Sequence, residues 1–319
     1  MEKTRTKFKA IDLFAGIGGI RLGFEKTGAF ETVYANDFDK FTKHTYDLNF
    51  NGPKLHIEDV RKINAEDLPE FDLLLGGFPC QPFSIAGYRK GLEDAGRGDL
   101  FFEILRLLND RKPKAFLLEN VKNLYSHDKG KTYQFMKKKL LELGYSVKEA
   151  VLNTMNYGNV PQNRERLYIV GFLDPEVAER FTFPDSEPLK TSFRDLLDTE
   201  VPDRYYYNDK SLFEKLKEHV TKEDTVYQWR RIYVRENKSN VCPTLTANMG
   251  TGGHNVPIIK DKKGIRKLTP KECLRLQGYP RDYVLPGNLA DSTLYKQVGN
   301  SVSVPVIEKI AYQFIKALS

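Results

Sequence analysis

The chain has 319 residues, 40% hydrophobic and 12% aromatic, with a formal net charge of +7. That is ample for a packed core in one large domain or two moderate ones, and no internal repeat or low-complexity tract interrupts it. No apolar run approaches a membrane span, the start Met1 to Lys9 is charged and lacks the apolar region of a secretory signal, and three scattered cysteines (Cys80, Cys242, Cys273) build neither a disulfide framework nor a zinc site. A cytoplasmic protein without a metal site or membrane partner is therefore expected. The positive balance fits a polyanion only weakly, because Lys and Arg also serve solubility.

Lys9 to Phe14 reads as a first strand, and Ala15-Gly16-Ile17-Gly18-Gly19 turns it into a helix, Ile20 to Thr27. Such a turn brings a ligand close to the backbone at a helix N-terminus. The spacing is wrong for a dinucleotide fold, whose third glycine would fall at Arg21, and no Gly-Lys-Ser/Thr follows to make a phosphate loop. The next strand, Glu31 to Ala35, ends in Asn36-Asp37-Phe38-Asp39. Asp37 is placed there to accept from ribose hydroxyls; Asp37 or Asp39 could equally cap the helix Lys40 to Asn49. Asp59 ends a third short strand, where it would accept from an adenine amino group or start a helix.

Phe71 to Leu75 reads as a buried parallel strand that two glycines and a proline cannot prolong, so Gly76-Gly77-Phe78-Pro79 turns sharply and leaves Cys80 at its carboxyl end. Stiff neighbours and the polar Gln81 and Ser84 suit a presented nucleophile better than a core thiol. Ile85 to Asp99, with four glycines and no apolar periodicity, is a lid candidate. A helix from Leu100 to Leu108 and a strand from Lys114 to Leu118 lead into Glu119-Asn120-Val121, whose carboxyl group could exchange a proton with an incoming base. After the helix Tyr133 to Leu143 and the strand Tyr145 to Leu152 comes Gln162-Asn163-Arg164-Glu165-Arg166, opening the strand Leu167 to Phe172. Period two sends Arg164 and Arg166 to one face, as two forks for phosphate or carbonyl oxygens or as an edge-strand charge ladder.

The composition changes after Phe183-Pro184, and the chain to Tyr207 is polar and punctuated by proline, followed by a short charged helix, Lys210 to His219. Gln228 to Arg235 is the densest basic-aromatic cluster, containing Arg230, Arg231 and Arg235, and Thr244 to Asn255 is rich in glycine and hydrogen-bonding side chains. Loops of this kind can read base edges and phosphates. Thr269, Pro270 and Glu272 form the N-cap, first position and capping box of a helix ending at Gly278, with Cys273 inside it as packing. Leu294 to Val298 then approaches Gly299-Asn300-Ser301-Val302, and Pro305 opens a closing helix, Val306 to Leu318.

Along nearly its whole length the chain resembles the bacterial DNA (cytosine-5)-methyltransferases of restriction-modification systems. Six motifs carry the likeness in family order: Phe14 to Gly19, Pro79-Cys80-Gln81, Glu119-Asn120-Val121, Gln162 to Arg166, Arg266 to Pro280, and Gly299 to Val302. The resemblance implies an α/β fold: a Rossmann-like S-adenosylmethionine-dependent methyltransferase domain with a second, smaller, mostly β or irregular target-recognition domain. The first would span residues 1–184, completed by 289–319, and the second residues 185–288, with its hinge. It further implies a cofactor pocket of Phe14, Gly16, Ile17, Gly19, Asp37, Phe38, Asp59, Val60, Pro79, Leu100 and Asn300. Cys80, Glu119, Arg164 and Arg166 would be catalytic, and Gln81, Ser84, Arg97, Arg230, Arg231, Arg235 and Thr244 would contact DNA. The loop at 93–97 is a residue longer than in the shortest members.

The chemistry implied is methyl transfer to carbon 5 of a flipped-out cytosine through a covalent Cys80 adduct, leaving S-adenosylhomocysteine. Double-stranded DNA would be the substrate, the enzyme a monomer, and its biological counterpart a restriction endonuclease that need not touch it. The alternative is an RNA (tRNA) cytosine-5 methyltransferase, which shares fold and nucleophile; the sizeable glycine-rich recognition region favours DNA. A non-catalytic DNA-binding homologue is disfavoured by intact Cys80, Glu119 and Arg166, and a nicotinamide-dependent oxidoreductase by the glycine spacing.

Overall fold

A computed structural model describes residues 7–79, 100–237, 239–251 and 255–319. The chain separates into two compact units: residues 1–152, 165–184 and 308–319 form the first, and residues 153–164 and 185–307 the second.

The first unit is built on a seven-stranded sheet in the order β3-β2-β1-β4-β5-β8-β6. Its strands are β1 (Phe8–Leu13), β2 (Phe30–Asp37), β3 (His56–Ile57), β4 (Leu73–Gly77), β5 (Ala115–Val121), β6 (Ser146–Asn153) and β8 (Glu165–Phe172), with the short β7 (Gln162–Asn163) between the last two in sequence. Helices α1 (Gly19–Glu25), α2 (Lys40–Asn49), α3 (Leu100–Arg111), α4 (Asn123–Ser126), α5 (Lys131–Glu142), α6 (Thr154–Tyr157) and α7 (Pro175–Arg180) punctuate them. β1 pairs in parallel with β2 and β4, β2 with β3, and β4 with β5, whereas β8 runs antiparallel to β5. The chain order reverses at β1, between β2 and β4, so the carboxyl ends of β1, β2 and β4 open on the crevice where such sheets take ligands. Ile11, Leu13, Leu74, Phe116, Leu118, Leu167 and Ile169 are buried in the core against α3 and α5. Central strands covered on both faces read as the continuous apolar runs seen in the sequence.

Two boundaries differ from expectation for one reason. β4 continues through Gly76 and Gly77, which pair with Leu118 and Glu119. β5 likewise continues past Leu118 to Val121, so Glu119 lies within a strand. Glycine weakens a strand locally, but pairing on both sides supplies what propensity lacks. Elsewhere Asp39 caps α2 by accepting from the Phe41 amide, as one of the two readings had it.

The second unit carries a four-stranded antiparallel sheet, β10-β9-β12-β13, from β9 (Val226–Trp229), β10 (Val234–Asn237), β12 (Ile258–Asp261) and β13 (Gly264–Lys267). A small core of Leu216, Val220, Tyr227, Ile258 and Ile265 lies beneath it, with Leu216 contributed by helix α8 (Phe213–Lys217). β11 (Cys242–Pro243) pairs in parallel with β7. Helices α9 (Pro270–Arg275) and α10 (Asp291–Asn300) follow, and α11 (Val304–Leu318) runs from this unit back into the first. Thr269 and Glu272 form the expected capping box with Pro270 in the first turn. Glu272, fully buried, also receives both forks of Arg266 at 2.8 Å. Cys273 is buried, and burial pushes its thiol well up, in keeping with packing rather than chemistry. Among the described residues no helix is long and apolar enough to cross a membrane, and no cluster of His, Cys, Asp or Glu could hold a metal ion.

Candidate active site

In the first unit, the turn after β1 takes three left-handed positions in five residues, at Phe14 (φ 55°), Gly16 (φ 55°) and Gly18 (φ 75°). A side chain at Gly18 would meet the Phe50 ring at 2.3 Å, so glycine is required there twice over, for conformation and for space. The turn is held from the neighbouring strand: Asp37 Oδ2 accepts from the Gly16 amide and Oδ1 from the Asp39 amide, both at 2.7 Å. Burial raises the Asp37 carboxyl above its ordinary value while the amides of Asp39 and Gly16 pull it down. Each oxygen keeps a lone pair for a further donor.

Beyond Asp37 opens a cavity of about 330 Å³ lined by Phe38, Ile57, Glu58, Asp59 and Lys62. The Phe38 ring is 75% exposed beside it, an open apolar face on which a planar group could stack. Asp59 caps the turn Val60–Lys62 and pairs with Arg61, whose side chain holds the carboxyl below its usual range; Val60 is buried behind it. An exposed ring face, an acceptor at its edge and the half-buried Asp37 directly before the ring in the chain together fit an aromatic base carrying a ribose.

On the other side of β1, Phe78 and Pro79 leave β4 beside β5. Asn120 is 2% exposed; its amide nitrogen donates to the Phe78 carbonyl at 2.9 Å and its oxygen accepts from the Val121 amide at 2.8 Å. The exit of the chain from the sheet is thereby tied down two residues ahead of position 80. Glu119 lies alongside, 7% exposed, with Arg166 Nε 3.1 Å from its Oε1. Val121 is registered opposite Arg166, so the ion pair runs diagonally across one face of the antiparallel ladder. Gly77 packs beside it, and a Cβ there would stand 3.7 Å from Glu119 Oε2, an ordinary contact. Lys122 holds Glu165 at 2.8 Å, which keeps that acid off the guanidinium of its neighbour. Cys80, Gln81, Ser84 and Arg97 lie outside the described residues, as does the whole lid candidate, Ile85 to Asp99; Leu100 is the first residue of α3.

The two arginines expected as neighbouring forks have different partners within the chain. Arg166 pairs with Glu119, whereas Arg164, 2% exposed, donates to the main-chain carbonyls of Leu245 (2.7 Å) and Ser301. Asn300 is the exposed last residue of α10. Thr244 donates from its hydroxyl to the Asn163 carbonyl at 2.7 Å. It also lines a cavity of about 570 Å³ with Gln228, Trp229, Arg230, Arg231 and Thr246. Arg230, Arg231 and Arg235 are exposed on the β9–β10 hairpin, which turns at Arg231 (φ 66°) and Ile232. Ile232 stands 89% exposed at that turn. The sequence assigns no role to Asn120 or Gln162, because Phe78 and the partners of Gln162 are remote in sequence and no local pattern announces them.

Residues 8–316 match the family described as C-5 cytosine-specific DNA methylase. The type II methyltransferase M.Bsp6I of Bacillus sp. (strain RFL6) is 57% identical over 310 residues, covering 96% of this chain and 98% of that protein. The type II methyltransferase M.HhaI of Haemophilus parahaemolyticus is 39% identical over 333 residues, covering 100% and 97%. Among solved structures, the Entamoeba histolytica methyltransferase EhMeth superposes with a TM-score of 0.74 at 18% identity over 99% of this chain and all of that one. The S. pombe Dnmt2 methyltransferase gives 0.72 at 21% identity over 98% of each. At that identity the likeness speaks for the fold alone, the seven-stranded mixed sheet with a smaller antiparallel sheet beside it in sequence. The sequence matches go further: the chain belongs to the C-5 cytosine-specific DNA methylase family and is a DNA (cytosine-5-)-methyltransferase.

Proposed function

We propose that the chain methylates cytosine at carbon 5 within a specific duplex sequence, as the modifying partner of a restriction endonuclease, through a covalent adduct on Cys80. The observation that carries the reading is the Glu119–Arg166 pair beside the tied exit of β4. Carbon 5 of cytosine is too weak a nucleophile to take a methyl group unaided. Addition of the Cys80 thiolate to carbon 6 makes an enamine that is nucleophilic at carbon 5. A free thiol is only a few per cent ionised near neutrality yet intrinsically very reactive. Glu119 protonates and stabilises ring N3 as charge develops, and Arg166 holds both the Glu119 carboxyl and the O2 carbonyl. Loss of the carbon 5 proton and elimination of the thiolate then restore the ring.

S-adenosylmethionine, when bound, supplies an electrophilic methyl group. Asp37 would take the ribose hydroxyls, Phe38 and Asp59 the adenine, and the turn from Phe14 to Gly19 the amino-acid end, with Val60, Pro79, Leu100 and Asn300 lining the rest. A cytosine inside a duplex is out of reach of any such site, so the base must be extruded at a cost of about a few kcal/mol. Arg230, Arg231, Arg235 and Thr244 would contact the DNA, with Gln81, Ser84 and Arg97 nearer the base. The division of labour between residues 1–184 with 289–319 and residues 185–288 is part of the proposal, as are a monomeric enzyme, a cytoplasmic location and a nuclease that need not bind it.

Expression in a host free of 5-methylcytosine, followed by sequencing of that base, tests the reading. One short sequence methylated at every occurrence is expected. Methylation confined to tRNA would favour the RNA alternative.

A further inference from the structure

A second group of cations gathers in the second unit, apart from the arginine hairpin. The single turn Asp203–Tyr205 runs into Tyr206 and Tyr207, and this stretch is pinned along β13: Tyr206 bridges to Arg266, and the Tyr207 amide donates to the Ile265 carbonyl at 2.8 Å. Cations stand over its rings. The Arg204 guanidinium carbon lies 4.9 Å and Lys267 Nζ 5.6 Å from the centre of the Tyr205 ring. Lys267 also stands 5.3 Å from the Tyr295 ring, and Lys210 Nζ 5.1 Å from that of Tyr207. Ring faces are electron-rich, so they attract such charges and hold them in place. Lys210 in addition donates to the Arg204 carbonyl at 2.7 Å, which brings the third cation to the other two.

Their charge is not balanced from within. Asp291 lies 3.4 Å from Arg204 Nε, and the Tyr205 hydroxyl accepts from Arg204 Nη2 at 3.1 Å, while Nη1 has no partner among the described residues. Nor does Lys210 or Lys267 make an ion pair among the described residues, although Asp209 precedes the former in the chain. Burial, and then the charge of Lys210, push the Lys267 ammonium below its ordinary value; Asp291 pulls the other way and Arg204 adds to the depression. The other cations close by are already matched, Lys263 by Asp203 and Arg266 by Asp261 and Glu272. Three cations around one carboxylate would be relieved by a further anion, and Arg204, its side chain 66% exposed, can present a charged donor to it.

What the cluster lacks says which anion. Tyr205 and Tyr206 are 4% and 7% exposed and Lys210 stands over Tyr207, so no ring is left open for a base to stack on. The amide nitrogen of Asn208 is turned onto the Lys263 carbonyl. The 570 Å³ cavity differs in both respects, with Gln228, Asn248 and Asn255 among its lining and able to read base edges. Charge without such groups suits phosphate, which positions a duplex and carries no sequence. Ile258 pairs with both Lys267 and Tyr227, so the cluster lies two strands, about 10 Å, across the sheet from the strand that leads into the hairpin. One duplex can meet both, since its major groove alone is about 12 Å wide. We propose that Arg204, Lys210 and Lys267 form an anion site that holds a backbone phosphate of the bound duplex without reading its sequence. The site rests on the functional reading above, in which duplex DNA is the substrate.

The test is the salt dependence of binding, followed by fluorescence anisotropy, for a short duplex carrying the sequence methylated by the wild type and for a scrambled duplex. Lys210→Gln and Lys267→Met should each weaken both duplexes by the same factor, about 5- to 10-fold at 0.1 M salt, because one neutralised phosphate is worth about 0.9 decade per decade of salt. The salt slope should fall by about one in each, and the ratio of the two affinities should stay at its wild-type value. Lys267→Met keeps the apolar stem against the rings and removes a cation without a counter-charge, so its melting temperature should hold or rise. Lys210→Arg keeps the charge and should bind within about 2-fold of wild type; so should Lys263→Gln, which removes only a surface pair. Unaltered affinity and slope in Lys210→Gln and Lys267→Met, a loss confined to the target duplex, or a loss matched by a lower melting temperature in both variants, overturns the anion site and leaves the functional reading standing. A wild type that binds tRNA and neither duplex overturns the functional reading, and the site with it.

Discussion

Glu119 and Arg166 face each other diagonally across the β5–β8 ladder, 3.1 Å apart and largely shut off from solvent. On the proposed mechanism, the carboxyl group that attends to N3 of the base is thus already in contact with the guanidinium proposed to hold O2. The pairing fixes both side chains before any base arrives, which is how charge stabilisation avoids reorganisation during reaction.

Breaking this pair should therefore cost more in rate than in binding. Glu119→Gln keeps the shape and removes the charge, and Arg166→Ala takes the guanidinium away from a buried carboxylate. Each should lower kcat by about 10²- to 10³-fold, the range for loss of one stabilising donor. Arg166→Ala should in addition lower Tm, since an uncompensated buried charge costs about 3–5 kcal/mol at full burial and less at this partly open site. Steady-state methylation kinetics with thermal unfolding distinguishes the two effects; unchanged kcat in both variants would remove the pair from the chemistry.

Asp37 has two duties, so its removal should show twice. Asp37→Ala takes away a charged acceptor worth roughly 1.5–3 kcal/mol, and cofactor affinity should fall by about ten- to a hundredfold. It also frees the amides of Gly16 and Asp39, so the melting temperature of the cofactor-free protein should drop. Titration calorimetry that finds cofactor binding unaltered would move the ribose contact elsewhere.

The sequence made the first of these sites legible and hid the second half of the other. Asp39, Thr269 and Glu272 act on neighbours two or three positions away, so their capping roles can be read locally. Asp37 ends β2, and Glu119 directly follows the apolar run of β5, so the change from apolar to polar residues marks both positions in the sequence. Arg164 reads as one more fork beside Arg166, because its partners lie 81 and 137 positions away and nothing local names them. The extension of β4 through Gly76 and Gly77 was illegible for a related reason: neighbouring strands pay the conformational cost that local propensity counts against it.

Asp12 gives the fold a dependence on pH. It sits in β1 with no exposure, neither carboxyl oxygen has a hydrogen-bond partner among the described residues, and burial raises its pKa from 3.8 to about 8 against the pull of Arg21. The folded chain keeps this proton where the unfolded chain has released it. Stability should fall as pH rises from the unfolded value towards about 8, by roughly 1 kcal/mol per pH unit, and level off above it. Asp12→Asn should flatten that slope and leave the protein more stable than wild type at the upper end. Urea unfolding across this range, with identical slopes for both proteins, would show that Asp12 is ionised in the fold.

The exposed arginines of the β9–β10 hairpin separate into two kinds by experiment. An arginine on phosphate weakens binding to all sequences and lowers the salt slope by about one, and an arginine on guanine relaxes one base pair by about 1–3 kcal/mol. At least one of Arg230→Ala, Arg231→Ala and Arg235→Ala should behave in the second way. Wild-type sequence preference in all three would leave this cluster with positioning alone.

The central claim is that Cys80 bonds to carbon 6 of an extruded cytosine, and a trapped adduct reads it most directly. A duplex with 5-fluorocytosine at the methylated position, incubated with S-adenosylmethionine, blocks the last step because fluorine cannot leave as a proton does. Wild type should run as a protein–DNA conjugate stable to denaturant, with the linked peptide containing Cys80 by mass spectrometry, and Cys80→Ser should give none while still binding S-adenosylhomocysteine. Methylated product without a conjugate, or a conjugate of equal yield from Cys80→Ser, would contradict it.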